Sequence, residues 1–253
     1  MTVVFLLIFL FLTLLIGRDR TAKSLITLGF NAVILGFTIT AINFGANPLV
    51  VTAIACTVIA TVTLFYQNEI NIKTTTAFGC VFAIVLLSGF GIYAITVLGN
   101  LQGFPTGQYS ISANNGYLAE IGVNMAFLQI SVILLMVVGA IIDTSLAVSS
   151  ALYEVKRNNP DLGSLGLFKS GINIGRDILS STINTLLFIF LGEYLAMFIQ
   201  LMDIYSFSEI INSKEFAGEV ISIGITGIGC VAIIPLTAFV SSIFYTKQNK
   251  VSS

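Results

Sequence analysis

Asp143 lies inside an apolar run, and Arg176, Asp177 and Asn184 crowd the start of the next one. An ionisable side chain at the bilayer centre costs roughly 2.5–3.5 kcal/mol on insertion scales, so such groups face protein or water and often mark function. Gly139, Asp143, Ser150 and Glu154 recur at offsets of 4, 7 and 4. At about 100° per residue they form one narrow helical stripe, with Ala147 beside it. Small residues on that stripe would let a neighbouring helix come close. Glu154 follows Asp143 by 11 residues, which places Asp143 about 16 Å along the axis, near mid-membrane. Asn173, Asp177, Ser180 and Asn184 repeat at 4, 3 and 4, with Arg176, Ser181 and Thr185 on their flanks. Two polar stripes on consecutive antiparallel helices are expected to face each other, because neither can face lipid cheaply. Between them Asp143 could bind and release a proton near neutrality. The alternative is a protonated carboxyl bonded to Ser or Asn as interhelical glue, a contact worth only about 0.6 kcal/mol on average. Arg176 and Asp177 read equally as part of a proton or ion relay or as an interfacial pair.

The elements that must position these residues are membrane helices. The chain has 253 residues, 56% hydrophobic and 9% charged, with a mean hydropathy of +0.99, whereas a soluble domain carries about 25% charged residues. Repeated long apolar runs in such a composition mean a polytopic membrane protein. A net charge of −1 gives no clustered basic face for nucleic acid. The absence of histidine removes His-based triads, His metal sites and imidazole relays. Cys56, Cys80 and Cys230 fall far apart in apolar segments and read as small hydrophobes, so neither a metal nor another cofactor is expected. No enzyme is expected either. An intramembrane aspartyl hydrolase needs two convergent carboxylates, and the predicted spans put Asp143 and Asp177 about one membrane half apart.

Seven runs qualify as spans, at roughly 2–17, 24–44, 49–66, 74–98, 124–152, 175–200 and 219–245, each near the length of a ~30 Å hydrocarbon core. The long linkers are then Gly99–Val123, Lys156–Ile174 and Leu201–Gly218. The expected fold is a single all-α bundle over 1–253. The first run is read as an uncleaved span, because Arg18, Arg20 and Lys23 follow it and nothing basic precedes it, the reverse of a secretory signal. In the seven-span arrangement Arg18, Arg20, Lys23, Lys73, Lys156, Arg157, Lys169, Arg176, Lys247 and Lys250 share one side, and Lys214 alone takes the other. The positive-inside rule then puts the N-terminus outside and the C-terminus in the cytoplasm. The outward loop Gly99–Val123 is free of basic residues and too short for a folded domain, though Ile111 and Tyr117 could fold back onto the bundle. Acidic residues on the second outward loop are read as a solvated rim. Gly224, Gly227, Gly229 and Pro235 could break the last helix as in transporters, or be the ordinary Gly and Pro of membrane helices. Asn31 and Glu193 are polar intrusions without an evident partner.

The block GAIIDTSLAVSSALYEV, then NP, then LFKSGINIGRDILSSTINTL resembles the YibE/F family of bacterial membrane proteins. The resemblance is close over the fifth and sixth spans and general over the seven-span layout. It implies a multi-pass protein of the bacterial inner membrane and carries no established activity. A fainter similarity links the Asp143–Thr144 pair, the acid at the end of its span and the following helix to the SecF half of the SecD/SecF export pair and to RND permeases. That similarity implies an RND/SecF-like helical core, with Asp143 as the intramembrane acid and Arg176 as its basic partner. The leading expectation is a permease-like, proton-coupled subunit of unknown substrate with an export or envelope role. Its site is Asp143, Arg176 and Asp177, supported by Glu154, Asn173, Ser180 and Asn184. The alternative is a scaffold or assembly factor that holds a partner membrane protein. Besides the lipid bilayer, the expected partner is a homologous YibE/F-type chain with an exported domain, or a second copy.

Overall fold

Asparagine starts three of the long helices. The Asn47 side chain accepts the Leu49 amide at 3.0 Å, and Pro48 opens the helix behind it. Asn71 and Thr74 cap each other's backbone, Oδ1 taking the Lys73 and Thr74 amides and the Thr74 hydroxyl taking the Asn71 amide. Asn124 accepts from the Phe127 amide at 3.1 Å. Each side chain satisfies donors that the first helical turn leaves free. The computed structural model describes residues 1–99, 124–203 and 205–251. It contains α1 (Thr2–Asn43), α2 (Pro48–Thr61) continued by a π-helical segment (Val62–Gln67), α3 (Ile72–Leu98), α4 (Met125–Asn158), α5 (Ser164–Met202), the short α6 (Phe207–Ile211) and α7 (Lys214–Val251). Among the described residues there is no strand.

Among the described residues six helices are long and apolar enough to cross a membrane, and the chain is a multi-pass, helical membrane protein. The first two expected spans lie within one element. α1 runs for 42 residues but bends at Arg18, whose φ of 46° and ψ of −131° leave the helical region. Two of the three expected linkers, Lys156–Ile174 and Leu201–Gly218, are mostly helical where described. Only Asn159–Gly163 separates α4 from α5, because Leu162, Leu167, Phe168 and Ile172 pack on the core and Lys156 ties the turn together. Its ammonium donates to the Pro160 and Leu162 carbonyls at 2.7 and 2.8 Å. Leu201–Gly218 likewise holds the end of α5, all of α6 and the start of α7. Residues 100–123, including Ile111 and Tyr117, lie outside the described residues.

α4 is the centre of the bundle, packed against α2, α3, α5 and α7, while α1 leans mainly on α2 and the π-helical segment. Close approach rests on glycine. A Cβ at Gly171 would stand 2.8 Å from the Ala238 Cβ and 2.9 Å from Leu152 Cδ1, and one at Gly175 would collide with Ile234. A Cβ at Gly229 would press on Val137 and Ile141. These small residues let α5 and α7 approach their neighbours. α7 runs without a break through Pro235, so the last helix is not the interrupted kind that lines a transporter site.

The core also holds a seam of hydroxyls. Ser149, Thr76 and Tyr245 form a closed triad at 2.6–3.2 Å, and Ser149 also donates to the Lys73 carbonyl at 2.8 Å. Ser145 and Thr237 pair at 2.9 Å. The seam joins α3, α4 and α7, and its groups are satisfied where water is absent.

Candidate functional site

The packed side of α4 is the side of Ser145, Ser149 and Leu152, all buried. Gly139, Asp143, Ala147 and Glu154 lie exposed on the other side, with Ser150 half-buried between them. On α5, Gly171 and Gly175 are buried, whereas Asn173, Arg176, Asp177, Ser180, Ser181 and Asn184 are exposed. The two polar stripes therefore do not close on each other, against the expectation from their periodicity. α5 turns Gly171 and Gly175 to the bundle, α4 turns Ser145, Ser149 and Leu152 to it, and both leave these stripes outward.

Their depths also differ from expectation. α4 and α5 are antiparallel neighbours across a five-residue connection, and Leu152 stands against Gly171. Nine residues up from that contact on each helix are Asp143 and Ser180, so Asp177 lies only about 5 Å from the level of Asp143. The half-membrane separation is an error of register, caused by starting the sixth span at 175. The carboxylates still do not converge. Asp143 has no charged or hydrogen-bonding partner among the described residues, and neither Arg176 nor Asp177 joins any of the three ion pairs found there.

Glu154, at the end of the Asp143 stripe, sits 3.5 Å from Lys73 and 3.9 Å from Arg157. Lys73 also lies 4.6 Å over the Tyr153 ring. Beside this cluster opens a polar cavity of about 870 Å³. Arg20, Lys23, Glu69 and Lys73 line it, and α4 contributes Leu146 and Ser150. Ser150 is thus both a cavity wall and a member of the Asp143 stripe. From Ser150 to Asp143 is two helical turns, about 10 Å, past Ala147.

Lys23 donates to Glu69 at 2.9 Å, and both line the cavity. That hydrogen bond, and then the opposite charges, hold the Glu69 carboxyl below its ordinary value and the Lys23 ammonium above its own. The contact is fully present between the two. It is lost as pH falls through the lowered Glu69 value or rises through the raised Lys23 value. This ion pair is therefore unchanged across neutral pH.

A family model described as YibE/F-like protein matches residues 5–247. The chain belongs to the YibE/F-like family. No curated protein and no solved structure matched it. The match covers nearly the whole of this YibE/F-like chain, including α1–α3, where the sequence carries little signature. Among the described residues no group of His, Cys, Asp and Glu could hold a metal ion. The three cysteines are buried and free.

Two groups escaped the sequence reading. Lys156 counts there only as a basic residue marking one side, yet it is 6% exposed and organises the α4–α5 turn. Ser145 and Ser149 are four residues apart, the spacing of one helix face, and that was the available signal for the hydroxyl seam. Asn31 has a partner after all: its amide donates to the Thr63 hydroxyl at 3.2 Å.

Proposed function

We propose that the protein is a permease-like subunit of a bacterial inner membrane in which Asp143 takes up and releases a proton or cation. One observation carries this reading: a carboxylate without a protein partner on the exposed stripe of the central helix, the stripe that also supplies Ser150 to a polar cavity. A carboxylate at that depth needs a water path or an ion to stay charged. The fainter likeness to SecF and RND modules points the same way by analogy. No hydrolysis is assigned to Asp143 and Asp177, which share no hydrogen bond among those of the described residues.

The same reading takes seven crossings, with the N-terminus outside. At 42 residues, α1 would be about 63 Å long as a straight helix, twice a hydrocarbon core, and its bend falls at Arg18, between the two expected spans. The cavity then opens to the cytoplasm, on the side of Lys73, Lys156 and Arg157.

A second reading, a scaffold that holds another membrane protein, is favoured by the outward exposure of both stripes. Reconstitution separates the two. The purified chain in proteoliposomes should dissipate an imposed pH or Na⁺ gradient faster than protein-free vesicles do. Equal rates would leave the scaffold.

A further inference from the structure

The outward face of α5 is too polar to face lipid cheaply. Asn173, Arg176, Asp177, Ser180 and Asn184 are all exposed on it, and they begin one turn past Lys169, where α5 enters the apolar region. In hydrocarbon these groups would be left without partners, at several kcal/mol for the charges alone. Within the chain nothing described covers them.

Their arrangement is self-complementary. On a helix, Asn173, Ser180 and Asn184 fall within about 40° of one another, with Arg176 and Asp177 roughly 50° to either side. The positions also repeat every seven residues: Asn173, Ser180, Leu187 and Asp177, Asn184, Leu191. Leu187 and Leu191 are 47% and 45% exposed, so the seam runs on into apolar surface. A seven-residue repeat is the pattern of two helices that keep one seam in contact.

We propose that a second copy of this chain covers this face, α5 against α5. Copies inserted in one membrane share an orientation, so the two-fold axis stands along the membrane normal and the paired helices run parallel. Across such an axis a group on one flank meets the group on the opposite flank at nearly the same height. Arg176 of each copy then meets Asp177 of the other, giving two equivalent ion pairs. Asn173, Ser180 and Asn184 lie along the axis and hydrogen-bond to their own counterparts. Any partner must present an acceptor for Arg176 and a donor for Asp177 at this depth, and a second copy does so automatically. The inference does not depend on ion coupling at Asp143.

The test uses the full-length chain in membranes, with its three native cysteines left in place because they are buried. Under mild oxidation Ser180→Cys should form a disulfide-linked dimer, and Ile228→Cys, exposed on α7, should not. Adding Arg176→Asp to Ser180→Cys should cut the linked fraction by about tenfold or more, because like charges then face each other. Adding Asp177→Arg to that chain should restore it. With Ser180→Cys in both, copies whose only charge change is Arg176→Asp should also link to copies whose only charge change is Asp177→Arg, while neither links to itself. Absence of a Ser180→Cys dimer, an equal yield from Ile228→Cys, capture of a different membrane protein instead, or indifference to the charge exchanges would each overturn the proposal.

Discussion

Asp143→Asn is expected to reduce gradient-driven flux through the reconstituted protein to the level of protein-free vesicles. Asparagine keeps the shape and polarity of the side chain and removes only its capacity to ionise. Because Asp143 is exposed and has no hydrogen-bonding partner among the described residues, and asparagine has nearly its shape, stability should move by no more than about 0.5 kcal/mol. Asp143→Glu keeps the charge on a longer arm and should retain part of the flux. Full activity in Asp143→Asn would mean that Asp143 is only a hydrogen-bonding group, with its ionisation irrelevant.

The largest loss of stability is expected from Lys156→Met. The Lys156 ammonium is 6% exposed and satisfies two carbonyls of the α4–α5 turn, at Pro160 and Leu162. Methionine fills the volume and leaves both acceptors without a donor. Hydrogen bonds to a charged group are each worth about 1.5–3 kcal/mol, so the exchange should cost about 3 kcal/mol. For a chain of this size that is a fall in Tm of roughly 6–12 °C. Cys56, Cys80 and Cys230 are buried, so a fluorogenic thiol reagent reads the unfolding directly. An unchanged midpoint would show that the turn is held by the packing of Leu162 and Leu167 instead. Because this turn sets the register between Asp143 and Ser180, activity should fall along with stability.

The spans were legible because hydropathy and helix caps are local. Asn47, Asn71 and Asn124 announce their helices in sequence, and the apolar runs behind them have the required length. The region 156–174 was misread for the same reason. Lys156, Arg157, Asn158, Asn159, Asp161 and Lys169 lower the mean hydropathy of a stretch whose apolar residues still recur on one helical face. Periodicity tells which residues share a face, as Asn173 does with Ser180 and Asn184. It does not tell what that face meets. The direction in which α5 turns is chosen by Gly171 and Gly175, whose missing side chains let Leu152, Ala238 and Ile234 pack against the helix backbone. Once that face is committed to the bundle, Asn173–Asn184 must point out. The cavity is walled by α1, the π-helical segment, α3 and α4, which are far apart in sequence.

The central claim is that water reaches a carboxylate at membrane depth from the side of the cavity. It is tested most directly by thiol accessibility. In oriented vesicles, Asp143→Cys should react with a small water-soluble thiol reagent added on the side where Asn158→Cys reacts, and not from the side where Ser213→Cys reacts. Ala147→Phe, which places a ring between Ser150 and position 143, should slow that reaction by about tenfold or more. A cysteine at 143 that stays unreactive from both sides, or reacts only from the side of Ser213, would contradict the account.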